Sequence, residues 1–154
     1  MASLIQVSAP SRTSVIAGRI LSGLVIAFLL FDSIGKLLVV RPVLEGTREL
    51  GYPVDVVFGL GLTLLACVVL YAIPRSSVLG AILLTGWLGG AIATHVRVGN
   101  PLFTHVLFPV YVGLMVWGGL YLRNGNLRAL FSLGGPGGTS LQEAVRKPLT
   151  GQPA

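Results

Sequence analysis

Polar side chains in this chain come in clusters, and between the clusters lie four long stretches that are apolar on every helical face. A helix that is hydrophobic all round belongs in a membrane or a large core, not on the surface of a small soluble domain. Crossing about 30 Å of hydrocarbon takes roughly 20 such residues. Four segments meet that length: Val15 to Leu38, the run after Pro53 and before Pro74, Ser77 to Val96, and Pro101 to Leu122. Their ends have physical causes. Pro74 cannot continue a helix, and "PRSS" makes a tight turn. Asn100 is a good N-cap, and Pro101 suits a first helical position. Short connections make the last three spans antiparallel neighbours. The longer link "VVRPVLEGTRELGYP" is polar and partly amphipathic. It is expected at the membrane interface, with one short helix around Val43 to Leu50.

Composition strengthens this reading. Of the 154 residues, 53% are hydrophobic and 10% charged, with a mean hydropathy of +0.85. A soluble domain carries about 25% charged residues, and a small one has too much surface to hide so many apolar side chains. The expected fold is all-α, a four-transmembrane-helix bundle. The net charge of +6 and pI of about 10.3 are spread over loops and termini, with no Lys/Arg cluster interleaved with aromatics. That argues against nucleic acid and for anionic membrane lipid as a partner. Cys67 is the only cysteine, so no intrachain disulfide or thiolate cluster exists; within an apolar run it reads as a buried inert thiol. Arg12 and Arg19 precede the first apolar stretch, but no A-x-A-like site follows, so a retained helix is expected rather than a cleaved signal.

Lys/Arg bias sets the orientation. One side collects Arg12, Arg19, Arg75, Arg123, Arg128, Arg146 and Lys147. The other holds Lys36, Arg41, Arg48 and Arg97, offset by Asp32, Glu45, Glu49 and Asp55. The first side is expected to be cytoplasmic, with both termini inside a bacterial inner membrane. Trp117, Tyr121 and Tyr71 would form the inner aromatic belt, Tyr52 and Phe103 the outer one. Residues 1–13 read as a flexible N-terminus, 14–128 as the membrane domain and 129–154 as a disordered cytoplasmic tail. The tail is rich in Gly, Pro and Ser, with a brief helix around Ser140 to Lys147.

The rare polar groups of the spans converge by this topology. Asp32, Lys36, Thr94, His95, Arg97 and His105 come to one depth near the outer leaflet. Asp32 and Lys36 are four residues apart on one helix face. An unpaired carboxylate there is costly, and Arg97 and Lys36 are its cationic partners at hand. Arg97 continues the small-residue face of Gly86, Gly90 and Ala93 and is expected to point into the bundle. His95 lies about 160° around the helix from Arg97, so both cannot face one pocket without unwinding near Gly99. His105 sits one turn before Pro109 in a first helical turn, where the helix dipole favours a neutral imidazole. The cluster reads either as a ligand or proton site or as an interhelical ion pair with Lys36 snorkelling to the headgroups. Two histidines and an aspartate make a facial triad conceivable, but there is no HxxH or HxxxH spacing, so no metal or haem is expected. Close helix packing is expected where small residues recur at four-residue spacing: Gly18 with Ser22, Gly59 with Thr63, and Gly86 with Gly90.

Three stretches carry a resemblance. They are the D-x-x-x-K of Asp32 and Lys36, the E-G-x-x-x-L-G-Y-P of Glu45 to Pro53, and the T-H-x-R-x-G-x-P-x-x-x-H of Thr94 to His105. Over about Ser14 to Arg128 the chain resembles the DoxX-like family of small bacterial membrane proteins. The resemblance implies a four-helix membrane bundle. The name-giving relatives are subunits of a thiosulfate:quinone oxidoreductase, which implies a redox-enzyme partner and quinone as the small molecule to consider. No nucleophile–base set, phosphate loop or dinucleotide fingerprint is present, so a self-sufficient enzyme is not expected. The leading expectation is an accessory or binding subunit that holds a quinone or other lipid-like molecule near the outer leaflet. Beside it stand a structural scaffold locked by the ion pair, and a proton-coupled transporter or membrane oxidoreductase subunit; transport would require a homodimer.

Overall fold

The structure, a computed structural model, describes residues 11–125, 127 and 128. The expected tail and its brief helix lie outside these residues. The described chain is helical: α1 (Arg12–Leu37), α2 (Arg41–Glu49), α3 (Val56–Ala72), α4 (Ser77–Arg97), a π-helical turn (Leu102–Val106) and α5 (Phe108–Arg123). The helix α1 starts at Arg12 because Ser11 caps it, its Oγ accepting from the Ser14 N–H at 3.2 Å. It ends where Val39 takes a left-handed φ of 48° and turns the chain into α2. Pro42 sits in the first turn of α2, and Gly51, at φ 77°, turns the chain out of that helix.

The last span differs from its expected shape. A continuous helix from Pro101 would need Pro109 to donate to the His105 carbonyl, and proline has no N–H. The chain instead makes one wide turn, with Val106 N–H bonded to Pro101 O and Leu107 N–H to Leu102 O, before α5 begins at Phe108. Three segments are long and apolar enough to cross a membrane: Arg12–Leu37, Ser77–Arg97 and Leu102–Arg123. The fourth apolar helix, Val56–Ala72, has 17 residues, about 26 Å at 1.5 Å per residue.

The long helices pack in a ring, α1 against α3 and α5, and α4 against α3 and α5. Their shared core holds Val25, Leu64, Val68, Tyr71, Leu84, Val116 and Leu120. Outward stand Ile20, Leu24, Phe31, Leu62, Ile82 and Leu114, all more than half exposed, as lipid-facing side chains would be. Tyr71 is not a belt residue. It is fully buried and donates to the Val116 carbonyl at 2.8 Å. Its proton thus committed, its oxygen accepts from the Ser22 hydroxyl at 3.0 Å. One side chain therefore ties α3 to α1 and α5. Among the described residues no buried side-chain N or O lacks a partner, as burial away from water demands.

Glycine contacts are partly elsewhere than expected. A Cβ on Gly18 would stand 2.8 Å from Arg123 N, so α1 and α5 touch there as the small-residue pattern implies. Gly61 meets the Ser33 carbonyl and Lys36, and Gly80 meets the Tyr71 backbone. Gly59, Gly86 and Gly90 have nothing within 4 Å of a built Cβ. Thr63 is exposed and bonds the Gly59 carbonyl of its own helix at 2.9 Å. A small residue permits close approach but does not choose which helix arrives.

Candidate functional site

Where α1 and α4 end and α5 begins, the helices part and enclose a cavity of about 640 Å³. Its apolar wall is Phe28, Leu29, Leu60, Leu88, Phe108 and Val112. Its polar lining is Asp32, Lys36, Thr94, His95, Asn100 and His105, and α2 with the residue after it contributes Gly46, Thr47, Glu49 and Leu50. Gly86 and Gly90 line it too, which explains why nothing packs on them: their missing side chains are part of the space.

Asp32 and Lys36 form an ion pair within α1, one turn apart. The Lys36 ammonium also lies 5.6 Å from the centre of the Trp87 ring. Lysine therefore stays in the cavity wall, 14% exposed, rather than reaching out to headgroups. A pair inside one helix cannot set the register between two, so an interhelical lock of Asp32 with Arg97 is absent.

Arg97 lies elsewhere. It is exposed and donates to the Leu50 carbonyl at 2.7 Å, with its guanidinium 5.8 Å from the Tyr52 ring centre. The Leu50, Gly51 and Tyr52 N–H groups take the Gly46, Arg48 and Thr47 carbonyls at the end of α2, and Arg97 supplies a donor for the Leu50 carbonyl just beyond them, where a cation suits the helix end. Thr94 completes the latch. Its hydroxyl donates to Gly90 O at 2.9 Å, so the 2.7 Å contact with Tyr52 is donated by the tyrosine. Tyr52 and Arg97 together hold the α2 segment onto α4.

The histidine rings meet, with centres 5.7 Å apart and inclined at 63°. Asn100 does not cap a helix; its amide donates to His95 Nδ1 at 2.9 Å, which leaves the proton of a neutral ring on Nε2. The positive φ of Gly99, 71°, brings Asn100 back to that position. His105 Nδ1 bonds the Thr104 hydroxyl at 2.8 Å. Both Nε2 atoms are free of protein hydrogen bonds among the described residues. No group of three or more His, Cys, Asp or Glu with metal-holding geometry occurs among those residues.

Five of the six anticipated residues thus line one cavity, and Arg97 secures its cover. Glu49, Tyr52, Trp87 and Asn100 also line the cavity, beyond the residues the sequence points to. Tyr52 and Glu49 lie in the E-G-x-x-x-L-G-Y-P stretch, which was the available signal.

The DoxX-like family model matches residues 20–119. The chain belongs to the DoxX-like family. Every residue around the cavity falls inside the matched segment. Family and apolar helices together make this a multi-pass membrane protein. No curated protein and no solved structure matches the chain.

Proposed function

We propose that this DoxX-like protein binds a quinone or another lipid-like molecule in the α2-covered cavity, as an accessory subunit of a redox enzyme in the bacterial inner membrane. The observation that carries the reading is the lining of the cavity itself. Asp32, Lys36, Glu49 and both imidazoles line it together with six apolar side chains, and about 640 Å³ falls in the range of small-molecule sites. The ligand's polar head lies against Asp32, Lys36, His95 and His105. Free Nε2 atoms suit the carbonyl or hydroxyl oxygens of a quinone or quinol. Its apolar body lies between Phe28, Leu60 and Phe108. All four long helices span the membrane in this reading, α3 at the short end of the usual length range. Both termini are cytoplasmic, by the excess of arginine at that end.

The test is purification in lipid nanodiscs with mass spectrometry of the co-purifying small molecules. Wild type should enrich an isoprenoid quinone or similar lipid, and His95→Ala with Asp32→Asn should lose it. Equal recovery from both proteins removes this cavity as the site.

A further inference from the structure

The opposite end of the molecule holds a second, smaller recess of about 370 Å³, lined by Arg19, Pro74, Ser77, Leu120, Arg123, Asn124 and Gly125. Its assembly follows from the helix packing. The close contact of Gly18 with Gly119 and the Arg123 backbone draws α1 onto α5, and so sets Arg19 beside Arg123. Arg123 spends one donor on the Tyr71 carbonyl at 3.1 Å and lies over the Tyr71 ring, which leaves most of its fork unused. Arg19 makes no hydrogen bond or ion pair among the described residues. Two like charges share a recess, and among the described residues nothing of opposite sign answers them. Every described acidic residue (Asp32, Glu45, Glu49, Asp55) belongs to the other end. The recess also receives the start of α4. Ser76 gives that helix no side-chain cap, its hydroxyl being bonded to the Leu70 carbonyl at 2.9 Å. The first N–H groups of α4 therefore look for an acceptor beside Ser77.

We propose that this recess binds a phosphate-bearing anion, held by the guanidinium groups of Arg19 and Arg123 and by the uncapped start of α4. Guanidinium forks and helix N-termini both match phosphate oxygens, and basic recesses between membrane helices take acidic lipid headgroups. The phosphate comes either from an anionic phospholipid or from a soluble ion, and neither depends on a ligand in the α2-covered cavity. Arg19, Leu120 and residues 123–125 lie outside the family-matched segment, and Pro74 and Ser77 lie inside it.

The test is native mass spectrometry of the detergent-purified full chain, titrated with phosphatidylglycerol, phosphatidylcholine and inorganic phosphate. Wild type should retain phosphatidylglycerol over phosphatidylcholine, with the preference falling roughly fivefold for each arginine removed. Arg19→Gln is the decisive variant, because Arg19 has no structural bond to lose. Arg123→Gln also frees the Tyr71 carbonyl, so its helix content is checked by circular dichroism. Arg19→Lys should keep part of the preference, and Arg75→Gln, an exposed arginine outside the recess, should keep all of it. Binding of inorganic phosphate that Arg19→Gln abolishes, without lipid preference, identifies a soluble source for the same site. An Arg19→Gln protein that binds lipid and phosphate as wild type does overturns the proposal.

Discussion

Two substitutions of the same chemistry, in the same helix, should have opposite effects on stability. An alanine Cβ at Gly80 would lie 2.2 Å from Tyr71 N, 2.5 Å from Tyr71 Cα and 2.7 Å from Leu70 C. These are backbone atoms, so no rotamer change relieves the overlap. Restoring ordinary contact moves α4 from α3 by roughly 1 Å. Tyr71 sits at that contact with its bonds to Ser22 and Val116, so the shift also disturbs the links to α1 and α5. Overpacking costs about 1–3 kcal/mol, and Gly80→Ala should fall at or above the upper end. At Gly86 the same methyl meets nothing within 4 Å. There the higher helix propensity of alanine is the remaining effect, a gain of at most about 1 kcal/mol. The two variants should therefore differ by about 3–4 kcal/mol, more than a hundredfold in the folding equilibrium. Unfolding in mixed micelles with increasing dodecyl sulfate, followed by circular dichroism, measures both. A Gly80→Ala midpoint equal to wild type, or a loss at Gly86 as large as at Gly80, would refute the packing described.

Further outcomes follow from the same contacts. Tyr71→Phe removes the bonds to Ser22 and Val116 without changing shape, and should lower stability by about 1 kcal/mol in the same unfolding assay, since hydrogen bonds between membrane helices are individually modest; an unchanged midpoint would sink the three-helix tie. Arg97→Ala should loosen the α2 cover. Hydrogen exchange over residues 41–50 should quicken roughly fivefold, the equivalent of about one hydrogen bond, while the middle of α4 stays protected; equal protection of α2 in both proteins would show that Arg97 does not hold it. A reporter active only in the periplasm should stay silent when joined after Arg128 and work when inserted at Gly99. The reverse pattern would invert the proposed orientation.

The all-helical fold was legible because a membrane helix is announced by composition alone: every face must be apolar, so no partner need be known to recognise it. The break before α5 was half legible. Pro109 and its missing N–H are plain in the sequence, yet the unbroken apolar run from Pro101 predicts one continuous helix. The cavity's polar lining draws on the ends of α1 and α4 and the turn before α5, and residues at helix ends joined by short turns are brought together by chain connectivity. The orientation of Arg97 was not legible. Helical phase places it on the face of Gly86 and Gly90, whose small residues predict contact with another helix. It opens on the cavity instead, and the arginine turns to the Leu50 carbonyl, a partner 47 residues away in sequence.

The chain by itself determined the class of environment, the helical segments and the family, because these depend on local composition, on 20-residue apolar runs and on short motifs. Tertiary structure alone decided which glycines pack and which leave space, that Tyr71 is an internal tie and not a membrane anchor, and that Asp32 pairs within its own helix. Those outcomes depend on which neighbour arrives at each position and at what distance, and no periodicity along a single helix records the neighbour.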